Sequence, residues 1–389
     1  MFIMDRRTLL KSGGLLFGMA SLAALPSQGY AAALTASDKK LIGKVPVPSA
    51  NAPVLLNFNE NSLGMSPKAT KAIQAALPET FRYPDAARGE VIATLAKVNG
   101  VKPDMVSLGN GSSECIQATV HAFGGPNVQL VVPDPTFDSA EVYAKSIGMK
   151  VTKVRLNAAH QLDIPAMKKA VEAFPGKSLV YLCNPNNPTA TITPDSEIAP
   201  WINSAPASVT FLFDEAYHEY VTDPRYQSAV KWVQAGKPNV IVARTFSKIH
   251  ALAGLRIGYT LAAPATTARL NEFCSIDNTN IAAAVAANAS LQDTAFIQRS
   301  LQATALARQI TTKALDELGL EYLPSQANFM LHRVKGSSAA YREEMKKRHM
   351  MVGRPFDHYD GWNRLTLGTP GEMTAFVAVL KDMRRQGLV

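Results

Sequence analysis

Four short segments hold residues whose types and spacing could do chemistry, and the most demanding is Arg244-Thr245-Phe246-Ser247-Lys248, after the apolar run Val240–Ala243. A surface amine needs no such setting, between hydroxyl residues and Arg244 where a strand ends. Desolvation and a neighbouring cation lower an ammonium pKa, and an amine so adjusted can form a Schiff base with an aldehyde. Arg256, with the hydroxyls of Thr245 and Ser247, would hold a phosphate at the same place. Asp214 closes a second run, Thr210-Phe211-Leu212-Phe213. A carboxylate there is largely desolvated and wants a cation, such as a protonated ring nitrogen. An N-cap for the Glu215-Ala216-Tyr217 segment explains it equally well. In a third loop, Cys183-Asn184-Pro185-Asn186-Asn187-Pro188-Thr189, two prolines hold the chain extended while asparagines offer amide donors at fixed positions. The fourth, Gly109-Asn110-Gly111-Ser112-Ser113-Glu114, opens a helix and would present free N–H groups to an anion; a plain turn with an N-cap accounts for it too.

The elements that must position these loops are legible as alternating patterns. Strands are predicted at Val128–Val132, Val151–Arg155, Ser178–Cys183, Val209–Phe213 and Val240–Ala243, with a further one at Gly258–Leu261 and helical runs between several of them. That alternation implies an α/β fold with a mostly parallel sheet, whose ligands bind beyond the carboxyl ends of the strands. Helices are predicted at Pro67–Leu77, with Ser66 as N-cap, and at Gly89–Asn99, closing at Gly100. Residues 34 to 56 read as irregular, because Pro46, Pro48 and Pro53 prevent a continuous helix. Thr294–Leu318 reads as one long helix leading out of the large domain, and the remainder, from Phe329–His332 to Val389, mixes strands and helices as a smaller α+β domain would.

The composition, 47% hydrophobic and 18% charged over 389 residues, is that of a globular protein rather than a disordered, collagenous or polytopic membrane chain. The net charge of +9 comes without a Lys/Arg run or interleaved aromatics, which argues against nucleic acid and leaves room for anionic small ligands. Three cysteines, Cys115, Cys183 and Cys274, sit in apolar stretches without a CxxC pair and read as free thiols. No metal-ligand spacing occurs among the seven histidines.

In this order the loops resemble fold-type I pyridoxal 5'-phosphate (PLP) enzymes, and within them the histidinol-phosphate aminotransferase-like branch of the class I/II aminotransferases. Asn59-Glu60-Asn61, Tyr83-Pro84-Asp85, Pro135-Thr136-Phe137, Ala253-Gly254-Leu255-Arg256, Ala327-Asn328-Phe329, Gly353-Arg354-Pro355 and Arg364-Leu365-Thr366-Leu367-Gly368-Thr369 extend the resemblance over almost the whole chain. It implies a large domain with a seven-stranded, mostly parallel sheet between helices (71–290), a small C-terminal domain (291–389) and an N-terminal arm (34–70). Lys248 would form the internal aldimine and shuttle the proton. Asp214 would pair with the ring nitrogen, and Asn187 and Tyr217 would hydrogen-bond the ring's phenolic oxygen. Phe137 would stack on the ring, while Gly111, Ser112, Ser113, Thr245, Ser247 and Arg256 would hold the phosphate. Tyr83 would reach the cofactor of a neighbouring subunit, which requires a homodimer. Arg364 would grip the substrate carboxylate, with Asn61 and Arg354 as further substrate contacts; a structural surface role suits Arg354 as well. The implied reaction moves an amino group between an L-amino acid, or an amino-alcohol phosphate-like donor, and a 2-oxo acid. A Cα decarboxylase or lyase with the same cofactor shell, or a PLP- or amino-acid-binding protein without turnover, are the alternatives. Ser62, Ala190 and Ser113 depart from the family's usual Pro, Gly and acidic residue; none removes a catalytic group, but Ser62 leaves the substrate open.

Arg6-Arg7-Thr8-Leu9-Leu10-Lys11, the short apolar run Leu15–Leu25 and the small residues Ala31–Ala33 resemble a twin-arginine signal peptide over residues 1–33. That expectation makes the twin-arginine translocase a partner and the periplasm the destination. Export in the folded state would let the protein carry its cofactor along. No other stretch is long and apolar enough to span a bilayer, so the mature form is expected to have no membrane partner.

Overall fold

The computed structural model describes residues 36–389, and the expected signal segment lies outside them. The strands are β1 (Val54–Leu56), β2 (Val106–Gly109), β3 (Val128–Asp134), β4 (Lys150–Arg155), β5 (Lys177–Cys183), β6 (Val209–Asp214), β7 (Val240–Thr245), β8 (Gly258–Ala262), β9 (Phe329–Arg333), β10 (Met350–Val352) and β11 (Trp362–Thr366). Seven of them form one sheet in the order β2-β8-β7-β6-β5-β3-β4. It is parallel from β4 to β7, while β8 runs antiparallel to both β7 and β2. The central strands β5 and β6 are apolar nearly without interruption because helices cover both faces. Edge strand β4 instead carries Lys150, Lys153 and Arg155, charges that discourage pairing with another chain.

Several elements depart from the expectations. β2 has no counterpart among the predicted strands, because its four residues run straight into the glycine turn. The second helix spans Asp85–Asn99, four residues longer at its start, and ends at Gly100 in the left-handed region. The arm holds a helix, Ala36–Ile42, ahead of the prolines, and β1. The helix Pro67–Ala76 is capped by Ser66, whose side chain accepts from the Ala69 N–H. Thr294–Leu318 is one 25-residue helix, started by the Asp293 cap and stopped at Gly319.

A separate core gathers Met330, Tyr341, Met345, Leu365 and Phe376 with Val54 and Leu56 of the arm. Around it, β1 pairs in parallel with β10 and β9 antiparallel with β11. The arm is therefore stitched into the C-terminal part of the chain. Among the described residues no helix is long and apolar enough to cross a membrane, and no cluster of His, Cys, Asp and Glu could hold a metal ion.

Candidate active site

A cavity of about 500 Å³ opens where β5, β6 and β7 end, and it is walled on its other sides by the arm and the C-terminal region. Lys248 follows β7 into this space, and its Nζ donates to the Phe58 carbonyl at 3.1 Å. Burial brings its pKa from 10.5 down to about 8; the Arg364 charge adds to the drop, Glu60 and Asp214 oppose it, and Arg256 contributes less. The expected neighbouring positive charge is thus present, from Arg364 and Arg256, whereas Arg244 points the other way. Successive strand residues face opposite sides, so Thr245 enters the cavity while Arg244 binds Glu215 with Nε at 3.0 Å and Nη2 at 2.7 Å.

Asp214 is only 2% exposed at the last residue of β6. Its Oδ2 accepts from the Tyr181 hydroxyl at 2.7 Å and its Oδ1 from the Ala216 N–H at 3.1 Å. Both donors are neutral, and burial pushes the carboxyl pKa above its usual value in spite of them. The helical turn that follows, His218–Tyr220, begins at Tyr217 without a side-chain cap, so Asp214 is not its N-cap. Tyr217 turns its hydroxyl toward Asn59, which donates at 3.1 Å, and its ring meets Phe329 edge-on at 4.9 Å.

Arg364 on β11 is 8% exposed and makes a fork. Nη1 donates to Asn187 Oδ1 at 2.8 Å and Nη2 to the Asn57 carbonyl at 2.6 Å. With its oxygen so engaged, Asn187 keeps its NH₂ as a donor for a ligand oxygen. Phe356 packs on the guanidinium at 5.2 Å.

Ser112, Ser113, Thr245, Ser247 and Arg256 line the same cavity, beside the first turn of the helix Ser112–Phe123. Gly111, with φ 78°, is required here: a Cβ would stand 2.2 Å from Arg256 Nη2. At Gly258 a Cβ would stand 2.4 Å from the Ser112 nitrogen. The two glycines bring a guanidinium, two serines and a helix N-terminus together, which is a cradle for a phosphate. Glu114 shapes this loop, accepting from the Asn110 and Ser275 N–H groups and from Asn278.

Phe137 and Arg354 also line the cavity, Arg354 in an ion pair with Asp138 at 2.8 Å. Three expected residues do not: Gly111, which shapes the turn behind Ser112, and Asn61 and Tyr83. Asn61 faces away from it; its Nδ2 donates to the Ile249 carbonyl at 3.0 Å and to Ser300 at 3.1 Å, tying the arm to the segment after Lys248. The neighbour that reaches the site is Asn59. Tyr83 is 77% exposed and does not line the cavity of its own chain. Sequence reasoning missed Asn57, Phe58, Asn59, Glu60, Tyr181 and Arg342. Asn59 and Glu60 belong to the Asn59-Glu60-Asn61 motif, whereas nothing local marks Tyr181, whose role comes from β5 lying beside β6.

A buried acid held only by neutral donors, an amine with lowered pKa and a phosphate cradle share one cavity, and together they fit PLP: ring nitrogen to Asp214, aldehyde to Lys248, phosphate to the glycine turn. Fold and site thus define a fold-type I PLP enzyme. Residues 52–380 match the model of the aminotransferase class I and II family, and the chain belongs to that family. It is 36% identical to a histidinol-phosphate aminotransferase of Moorella thermoacetica over 85% of each chain. A crystal structure from Erwinia carotovora atroseptica, named as a candidate histidinol-phosphate aminotransferase, is 41% identical with a TM-score of 0.87, covering 88% of this chain and 99% of that one. The histidinol-phosphate aminotransferase of Sinorhizobium meliloti, solved in complex with PLP, shares the fold at 24% identity and a TM-score of 0.79, over 90% of this chain and 94% of that one. The chain is a PLP-dependent aminotransferase, and no finding favours the decarboxylase or the non-catalytic alternative.

Proposed function

We propose that this aminotransferase is exported folded by the twin-arginine route and works in the periplasm as a homodimer, moving an amino group between an L-amino acid and a 2-oxo acid. What carries the catalytic reading is one cavity holding Lys248, Asp214 with only neutral hydrogen-bond donors, and the Arg364 fork. When bound, PLP supplies an electron-withdrawing ring beside the carbon whose C–H bond breaks. Asp214 would keep the ring nitrogen protonated, since a buried carboxylate with no cation bonded to it gains most by holding one. Asn187 and Tyr217 would hold the phenolic oxygen. Arg364 would fix the substrate carboxylate through paired hydrogen bonds, setting the Cα proton against Lys248 Nζ. That amine, with a pKa near 8, can take the proton and return it at physiological pH.

Exposed Leu77, Phe81 and Tyr83 in one segment, with exposed Phe58 at the cavity, support a homodimer in which Tyr83 completes the partner's site. The arginine pair and short apolar run of the leader support export. Export separates the enzyme from cytosolic histidine synthesis, so we infer a substrate other than histidinol phosphate. Ser62 belongs with Asn61 to a small crevice apart from the main cavity.

Purified protein reconstituted with PLP is expected to convert to the pyridoxamine form with a subset of L-amino acids and to form glutamate from 2-oxoglutarate without releasing carbon dioxide. Lys248→Ala is expected to lose the visible band and the borohydride-trapped adduct. Normal transamination by that variant would end the assignment. Replacing Arg6 and Arg7 by lysine is expected to retain the protein in the cytoplasm, as cell fractionation would read.

A further inference from the structure

Beyond Lys248, Asp214 and Arg256, assigned to the cofactor, five charged side chains line the cavity: Glu60, Asp138, Arg342, Arg354 and Arg364. Three of them are paired, and a fourth, Glu60, acts through its charge alone. Arg364 is forked between Asn187 and the Asn57 carbonyl. Arg354 and Asp138 neutralise each other at 2.8 Å. Glu60 acts on Lys248, favouring its charged form. Arg342 has no hydrogen-bond or ion-pair partner among the described residues.

Its place explains how it reaches the cavity. Arg342 lies on the helix Ser338–Lys347, whose Tyr341 and Met345, four residues apart, are anchored in the C-terminal core. The next position turns out of that core, so Arg342 is exposed while its side chain lines the cavity wall. The anchored helix fixes the base of a long, mobile cation beside a cavity that already has one guanidinium for a carboxylate.

The geometry points to Arg342 as a specificity residue that reads a distal anionic group, carboxylate or phosphate, on the side chain of the amino donor or the 2-oxo acid. With the α-carboxylate on Arg364 and the amino group at Lys248, Arg342 is the remaining unpaired cation on the wall that a substrate side chain can use. The inference rests on the transamination reading and adds a substrate class to it.

The test uses unreactive ligands on the holoenzyme. Calorimetric titration with glutarate, with 3-phosphonopropionate and with glutaramate, whose distal group is neutral, compares affinities without turnover. The wild type is expected to bind one of the doubly charged ligands about tenfold more tightly than glutaramate, a charge-assisted contact's worth. Whichever wins identifies carboxylate or phosphate as the group read. Arg342→Gln is expected to abolish that preference and Arg342→Lys to restore part of it. A wild type without preference, an Arg342→Gln variant that keeps it, or one that weakens all three ligands alike overturns the inference. Half-reaction across a panel of L-amino acids reads transamination separately, so failure with every donor would sink the functional reading while the binding comparison still judges Arg342.

Discussion

Asp214 and Glu215 are consecutive, both carboxylates, both almost fully buried, and they behave in opposite ways. Glu215 faces the rear of the sheet, where Arg244 binds it twice, Ser228 donates to it, and the Ala229 N–H donates at 2.7 Å. Burial alone would raise its pKa, but the Arg244 and His218 charges, with the hydrogen bonds from the Ala229 N–H and Arg244, together outweigh burial and hold the carboxyl below its usual value. Asp214 faces the cavity, is given only a phenol and an amide, and stays above. The rear pair is complete and structural. The front acid is incomplete until a ligand brings a cation, and that incompleteness marks the site.

The contrast can be broken at either end. Asp214→Ala is expected to slow Cα proton abstraction on the order of 10³-fold in stopped-flow half-reactions, with thermal unfolding little changed, because the residue holds a ligand rather than the fold. Glu215→Ala should do the reverse. It strands Arg244 as a buried unpaired charge, and denaturant unfolding is expected to show a loss of about 3–5 kcal/mol. Replacing both Glu215 and Arg244 by methionine should recover part of that loss. Equal stability losses in the two single variants would erase the distinction.

The amine between these faces offers a third handle. Only neutral Lys248 can condense with an aldehyde, so adduct formation by the cofactor-free protein should rise with pH and level off above about 8. Arg364→Gln removes a cation that disfavours the ammonium and should move the midpoint upward. The depressed pKa also means that the unfolded chain binds this proton more tightly, so the Lys248 contribution makes stability rise with pH between about 8 and 10.5. A midpoint near 10.5 would show the lysine to be an ordinary surface amine. The smallest effect is expected at Asn61: alanine there loses three hydrogen bonds, about 1–2 kcal/mol of stability, and leaves the ranking of substrates unchanged.

Much of this was legible locally. Apolar runs that end in Asp214, in Lys248 and in the asparagine–proline loop predicted strands and put these residues at their ends, because burial and strand period are properties of neighbouring residues. The glycine at position 111 was legible for the same reason, as a turn opening a helix. What the chain order could not contain was who meets whom. Asn187 and Arg364 stand 177 residues apart, and Asn59 and Tyr217 stand 158 apart. Which cations act on the lysine, and whether Asn59 or Asn61 enters the cavity, was decided only when the arm and β11 closed over the ends of β5, β6 and β7. A sequence sets which residues can be buried and how they alternate; the charge each one faces is set by packing between segments distant along the chain.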